Sequence, residues 1–173
     1  VGAPARMIKT RGEGDGNPDR RSASKNTEAC WSIGIRVGSS PYGFDCWDMV
    51  CNPVLTQRDV SDVPAAFVAD PFMIRQQNLW HMFFEVMNRR TGKGEIGWAT
   101  SADGFEWKYQ RIVLAEPFHL SYPYVFEWQN EYYMIPESHK TAEIRLYKAA
   151  PFPMEWAYAS TLLTGSRFTD SSV

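Results

Sequence analysis

Residues 69–85 read ADPFMIRQQNLWHMFFE, and residues 121–137 read SYPYVFEWQNEYYMIPE. Laid over one another without a gap, they align Asn78 with Asn130, Met82 with Met134 and Glu85 with Glu137. Each stretch holds two apolar runs separated by a polar turn, which is typical of a β-hairpin. The chain therefore repeats a hairpin at an offset of 52 residues.

The repeat continues beyond the hairpin and predicts four strands in each copy. In the first copy we expect strands at 67–74, 79–87, 95–100 and 106–114, with a two-residue hairpin at Asp103-Gly104. A unit of roughly 50 residues that folds as a four-stranded meander is the pattern of a β-propeller blade. The sequence therefore predicts an all-β fold, a partial β-propeller.

The same alignment divides the chain into segments. Residues 1–29 are rich in small and polar side chains, cannot bury enough apolar surface, and are expected to be a disordered lead-in. Residues 31–55 resemble the outer strands of one blade, whose inner strands would come from the far C-terminus. Residues 65–114 and 120–163 form one blade each, and 167–173 begin another. Because closed propellers have about four to eight blades, we expect a fragment, or else copies that assemble into a ring.

Three prolines test this assignment. Pro71 and Pro123 fall in the innermost strand, where a free edge tolerates a missing N–H. Pro136 falls in the second strand, where a bulge or an early strand end is required.

Composition excludes several function classes. The 173 residues include 18 basic and 20 acidic side chains, giving a net charge of -2 and no basic face for a phosphate backbone. No apolar run approaches the ~20 residues of a membrane-spanning helix. Cys30, Cys46 and Cys51 match no zinc spacing and are interpreted as free thiols, with a Cys46–Cys51 disulfide as the alternative. Nucleic acid and direct membrane insertion are not expected.

The segment Asp70-Pro71-Phe72, followed by 79–85, resembles the first blade of the five-bladed furanosidase-type propellers, which include glycoside hydrolase families 43 and 32. A closer resemblance covers residues 31–173. It is to the propeller domain at the N-terminus of glucosamine inositolphosphorylceramide transferase and of some formyltransferase-like proteins. The phrases WSIGI (31–35), NPVL (52–55) and YMIPES (133–138) carry this closer match.

The resemblance implies a catalytic site at the repeated strand-one position. Asp70 matches the aspartate that acts as base or nucleophile in furanosidases. The second aspartate of that family is Tyr122 here, and the glutamate of the third blade is Asp170. Asp70 and Asp170 are thus the candidate catalytic pair, since glycoside hydrolysis needs two carboxyl groups. The alternative is that Asp70 only caps a turn before Pro71.

Five further residues are candidates for substrate binding: Tyr122, Glu137, Glu85, His81 and Trp80. Each also has a structural interpretation. Glu85 and Glu137 share a repeat position and could bind backbone groups between blades, and His81 could fill space with a satisfied nitrogen. No cofactor is predicted. Related propellers sometimes hold Ca²⁺ in the channel, but no carboxylate cluster in this sequence has the spacing of a calcium loop.

These features favour a propeller that recognises a sugar or glycolipid headgroup in its central channel, as part of a glycosyltransferase or formyltransferase-like protein. The alternative is a family 43-like glycoside hydrolase with Asp70 as general base. A third possibility is a scaffold that binds protein through its rim. The expected partners are a carbohydrate ligand and either the remaining blades of the same protein or further copies of the chain.

Overall fold

The computed structural model describes residues 5–10, 30–38 and 50–173, with only the backbone given for 5–10 and Cys30. The described residues form ten strands and one 3₁₀ turn. These are β1 (Ala5–Thr10), β2 (Cys30–Ile35), β3 (Ala65–Gln76), β4 (Leu79–Asn88), β5 (Lys93–Ser101), β6 (Lys108–Leu114), β7 (Ser121–Trp128), β8 (Glu131–Glu137), the 3₁₀ turn His139–Thr141, β9 (Glu143–Ala149) and β10 (Trp156–Thr164).

Two four-stranded antiparallel sheets make up most of the molecule. In the first, β3, β4, β5 and β6 follow one another in sequence order, and in the second, β7, β8, β9 and β10 do the same. Each strand therefore pairs with its neighbour in the chain, as in a propeller blade. The predicted all-β fold with two four-stranded meanders is confirmed.

The innermost strands, β3 and β7, bulge at equivalent points. The register of β3 against β4 shifts between Ala69 and Phe72, and that of β7 against β8 shifts between Ser121 and Tyr124. Pro71 and Pro123 lie within these bulges. A bulge leaves a residue out of the ladder, so neither proline withholds a required N–H.

The predicted interruption at Pro136 is also present. The pairing of β8 with β9 covers only Tyr133 with Lys148 and Met134 with Tyr147, and it ends before the proline. On the other side, Pro136 lies opposite the bulge of β7. The strand therefore continues without the hydrogen bond that proline lacks.

An apolar core fills the space between the two sheets. Phe83 and Ile96 of the first sheet pack with Met134 and Tyr147 of the second and with Leu120, which precedes β7, and all five are fully buried. Each such side chain stabilises the fold by about 1.5–3 kcal/mol relative to exposure. A second cluster joins the other face of the first sheet to Ile33, Ile35 and Leu55.

The N-terminal segment differs from the prediction. The strand beside β2 is β1, from within the predicted lead-in, rather than a strand from the C-terminus. Residues 1–4 and 11–29 lie outside the described part. On its other side β2 bridges to Leu55 through Ile33, and the Asn52 side chain both donates to and accepts from the backbone of Ile35, at 2.8 and 2.7 Å.

One prediction about local structure is corrected. Asp103-Gly104 does not form a two-residue hairpin, because Oδ1 of Asp103 accepts the N–H groups of Phe105 and Glu106 and holds a longer turn. The fourth strand accordingly begins at Lys108. No strand is assigned within residues 167–173, and that these residues begin a further blade stays a prediction. Cys51 is a free, exposed thiol, while Cys46 lies outside the described residues.

Candidate functional site

Four carboxyl groups gather where the inner strands bulge. They belong to Asp70 of β3, Glu85 of β4, Glu137 at the end of β8, and Asp170 beyond β10. The Asp70 carboxylate accepts the backbone N–H of Tyr122 at 3.2 Å, and the Glu137 carboxylate accepts that of Asp170 at 3.1 Å. We call these four residues the carboxyl cluster.

The local backbone explains how the cluster forms. Asp70, Tyr122 and Asp170 have φ angles of 50°, 44° and 48°, in the left-handed region that few residues other than glycine adopt. The bulge at Asp70 re-aims its side chain out of the alternation of the strand. The structure therefore brings Asp70, Tyr122 and Asp170 close together, each with the same unusual backbone conformation. The repeat predicts that these three residues share one position.

Burial and mutual repulsion keep part of this cluster protonated. Glu85 is only 6% exposed, and its burial, followed by the charges of Asp70 and Glu137, raises its pKa to about 8. Burial also raises the pKa of Asp70, with repulsion from Asp170 and Glu137 adding to it and the Tyr122 N–H opposing it. At neutral pH Glu85 is therefore a hydrogen-bond donor among acceptors.

Two histidines that sequence analysis did not single out complete the cluster. Nδ1 of His119 accepts the N–H of Gly94 at 2.8 Å, which leaves its Nε2 proton directed at Glu85 Oε1, 3.4 Å away. Nδ1 of His139 lies 2.8 Å from Glu137 Oε1. Burial, then the charges of His139 and Lys140, lower the pKa of His119. Their position in the sequence could have identified them, because each histidine lies within three residues of a predicted site residue, Tyr122 or Glu137.

Tyr122 contributes its backbone more than its hydroxyl. Its N–H binds Asp70, and its ring packs edge-on against Phe72 with 4.7 Å between centroids. The ring therefore forms a wall beside the cluster.

His81 lies outside the carboxyl cluster. It is 4% exposed, its Nδ1 accepts the indole N–H of Trp98 at 3.1 Å, and its ring contacts Phe152 edge-on. Burial lowers its pKa. This is the space-filling role that was the alternative interpretation of His81.

Trp80 also lies away from the carboxyl cluster. It pairs with Arg75 near the β3–β4 turn. Five residues separate Arg75 from Asp70, which is roughly 16 Å along an extended strand. The structure thus brings together Asp70, Asp170, Tyr122, Glu85 and Glu137 of the predicted site residues, and places His81 and Trp80 elsewhere.

The carboxyl cluster does not have the arrangement of a metal site. Among the residues described, no three or more His, Cys, Asp or Glu side chains are placed to hold a metal ion. The residues that the structure describes also include no helix long and apolar enough to cross a membrane.

Comparison with known proteins gives one family. The family described as glucosamine inositolphosphorylceramide transferase 1, N-terminal, matches residues 23–173. The transferase of that name from Oryza sativa subsp. indica is 39% identical over 164 residues, covering 84% of this chain and 22% of the relative. The Arabidopsis thaliana protein is 36% identical over 155 residues, covering 80% and 20%. The chain thus spans about a fifth of the length of these relatives.

A solved structure shares the fold. The family 32 β-fructofuranosidase of Bombyx mori superposes with a TM-score of 0.59 and 14% identity, over 79% of this chain and 32% of that chain. At this identity the likeness concerns architecture, and it agrees with the propeller-like arrangement of the two sheets.

Proposed function

The chain belongs to the glucosamine inositolphosphorylceramide transferase 1 N-terminal family, and we propose that it is the carbohydrate-recognition domain of a glycosyltransferase that builds a glycolipid. The proposed ligand is a sugar or a glycolipid headgroup at the carboxyl cluster. The proposal includes a ring of five blades in the complete protein, with the cluster facing its central channel.

The observation that carries the proposal is the convergence of four carboxyl groups, three from the two sheets and one, Asp170, from the segment after β10. Ionised carboxylates accept hydrogen bonds from sugar hydroxyls, and charge-assisted bonds of this kind are about twice as strong as neutral ones. The same negative charge favours a protonated amine and disfavours a phosphate or a uronic acid. An amino sugar is therefore the proposed ligand class, in keeping with the glucosamine in the relatives' name.

The proposal gives each residue a role. Asp70 and Glu137, anchored by the N–H groups of Tyr122 and Asp170, accept from the ligand. Glu85, protonated at neutral pH, donates to it. The Tyr122 ring forms a wall for one face of the sugar, since aromatic rings offer a large apolar contact area.

Calorimetric titration tests this function. Methyl glucosaminide should bind the chain more tightly than methyl glucoside, and Asp70→Asn should weaken glucosaminide binding by roughly tenfold to a hundredfold, the worth of one charged hydrogen bond. Glu155→Gln, which removes an exposed carboxylate elsewhere, is the control for net charge. Equal affinity in the wild type and Asp70→Asn would contradict the proposal.

A second candidate is glycoside hydrolysis with Asp70 as general base. One observation favours it: Glu85 holds a proton at neutral pH beside Asp70, and hydrolysis needs one carboxyl as acid and another as base or nucleophile. Release of nitrophenol from aryl xylosides or arabinofuranosides, abolished by Asp70→Asn, would support this function. Binding without turnover would leave the recognition domain as the better account.

A further inference from the structure

A cavity lies away from the carboxyl cluster, beside the β3–β4 turn of the first sheet. Its volume is about 300 Å³, enough for one sugar ring. Its walls include Met73, Arg75, Trp80, Asp103, Gly104 and Phe105. The aromatic floor is the half-buried ring of Trp80.

The second sheet shows what occupies the equivalent place there. The indole N–H of Trp107 donates to Gly104 O at 3.0 Å, and that of Trp156 donates to Pro153 O at 3.1 Å. Aligning the two turns on this shared hydrogen bond sets Gly104 against Pro153 and Asp103 against Phe152. In the same comparison Trp80 corresponds to Tyr132, because each stands at the start of the second strand of its sheet.

In the second sheet the aromatic ring is covered. Phe152 stacks on Tyr132 with 3.9 Å between centroids and 25° between planes. In the first sheet the equivalent Asp103 turns back to cap its own turn. Gly104 lies beside the Trp80 indole and has no side chain to place on it; a Cβ at this position would lie 3.5 Å from the indole nitrogen. The cavity thus lies where an aromatic ring stacks in the sister sheet.

The walls of this cavity carry one cation, Arg75, and one carboxylate, that of Asp103, whose Oδ1 accepts backbone N–H groups of its own turn. The Arg75 guanidinium lies 5.5 Å from the centroid of Trp80, and among the described residues it has no ion pair or hydrogen bond. The Trp80 indole N–H likewise has no acceptor in the described part of the chain. Because the residue equivalent to Arg75 is Glu127, the positive charge is particular to the first sheet.

We propose that this Trp80 pocket is a second carbohydrate site, which takes a sugar ring carrying a carboxylate or a phosphate. The ring stacks on the indole as Phe152 stacks on Tyr132, and the acidic group pairs with Arg75, whose planar guanidinium suits such oxyanions. The site stands independently of the carboxyl cluster, since the residues that line the cavity include none of the cluster, and Arg75 lies at the end of β3 whereas Asp70 lies in its middle.

An NMR titration of the ¹⁵N-labelled chain tests the pocket. With methyl glucuronide we expect saturable shifts at the amides of Arg75, Gly104 and Phe105 and at the Trp80 indole, and none at Asp70. Trp80→Ala should abolish these shifts and Trp80→Phe should keep them, because a ring remains for stacking. Shifts confined to the amides around Asp70 and Tyr122, or no saturable shift, would overturn the proposal.

The role of Arg75 has its own control. Arg75→Gln should weaken the binding of methyl glucuronide by about tenfold in Kd, or about 1.4 kcal/mol. The weaker binding of methyl glucoside should stay unchanged. Equal losses for both ligands would contradict pairing with the acid. Glucose 6-phosphate in a parallel titration shows whether a phosphate serves as well as a carboxylate, and the tighter of the two acids identifies the ligand source.

Two substitutions of Asp103 test the comparison between the sheets. Asp103→Phe places a ring over Trp80 and should block the ligand while retaining Arg75 and Trp80. Asp103→Asn keeps the turn-capping oxygen, removes a negative charge, and should strengthen methyl glucuronide binding. Full binding by a folded Asp103→Phe protein would overturn the proposed stacking; if that variant does not fold, Asp103→Asn and Arg75→Gln decide.

Discussion

Glu85→Gln is the substitution that examines the carboxyl cluster most closely. Glu85 is nearly fully buried beside Asp70 and Glu137, so its ionisation is opposed by both desolvation and repulsion. Glutamine keeps the size and a hydrogen-bond donor, and it cannot ionise. The variant therefore removes only the cost of the charge.

The structure gives the size and sign of the effect. Burial raises the pKa of Glu85 from 4.5 to about 8. At about 1.4 kcal/mol for each pH unit between these values, the penalty has a ceiling of about 5 kcal/mol. The folded protein holds this proton more tightly than the unfolded chain, so the wild type loses stability as the pH rises from 4.5 to about 8. Above that range Glu85→Gln should be the more stable protein by several kcal/mol.

Urea unfolding of both proteins at pH 5 and pH 9 measures this difference. Subtracting the wild type from the variant at each pH cancels the other groups that titrate in this range. The control is Glu155→Gln, at an exposed position, which should show the same difference at both pH values. The free energy of unfolding of Glu85→Gln minus that of the wild type should be larger at pH 9 than at pH 5. An equal difference at both pH values would refute the claim that Glu85 is buried among like charges.

Two further predictions concern packing. Gly94→Ala should destabilise the fold by about 2 kcal/mol or more, because the added Cβ meets the carbonyl oxygen of Leu120. The control is Gly92→Asn, where the side chain enters open space at a positive φ that asparagine tolerates. Urea unfolding compares the two variants, and equal stabilities would contradict the close contact. Phe152→Ala should cost about 2–4 kcal/mol through the lost stacking on Tyr132 and the cavity left behind. For a chain of this size, a loss of a few tenths of a kcal/mol in unfolding free energy lowers the thermal midpoint by about 1 °C. A Phe152→Ala midpoint that falls by less than about 1 °C would therefore show that the contact is not formed.

Much of the fold follows from local sequence. The apolar alternation and the 52-residue offset predict β3, β4, β7 and β8, because hairpin partners are close in the chain. The partner of β2 could not be predicted in this way. β1 is a short strand in a polar segment, and what stabilises it is a ladder to residues about 25 positions away, for which local pattern gives no signal.

The candidate site was also predicted only in part from the sequence. The repeat predicts that Asp70, Tyr122 and Asp170 share a position, and the structure brings them together with Glu85 and Glu137. Trp80 and His81 adjoin in sequence, but neither reaches the cluster, because the direction of a strand side chain depends on register and on the neighbouring sheet.

The histidines beside the cluster, His119 and His139, lie outside the strands. His119 precedes β7, and His139 begins the 3₁₀ turn after β8. The contacts of such loop residues depend on how the loops fold, so the repeat alone did not identify them.

The central claim is that the carboxyl cluster is a sugar site, and the carboxyl ¹³C signals of its side chains test it most directly. During titration with methyl glucosaminide, the signals of Asp70, Glu137 and Asp170 should shift together with one saturation curve. Those of the exposed Glu155 should stay constant. Saturating ligand that leaves the signals of Asp70 and Glu137 unmoved would contradict the account.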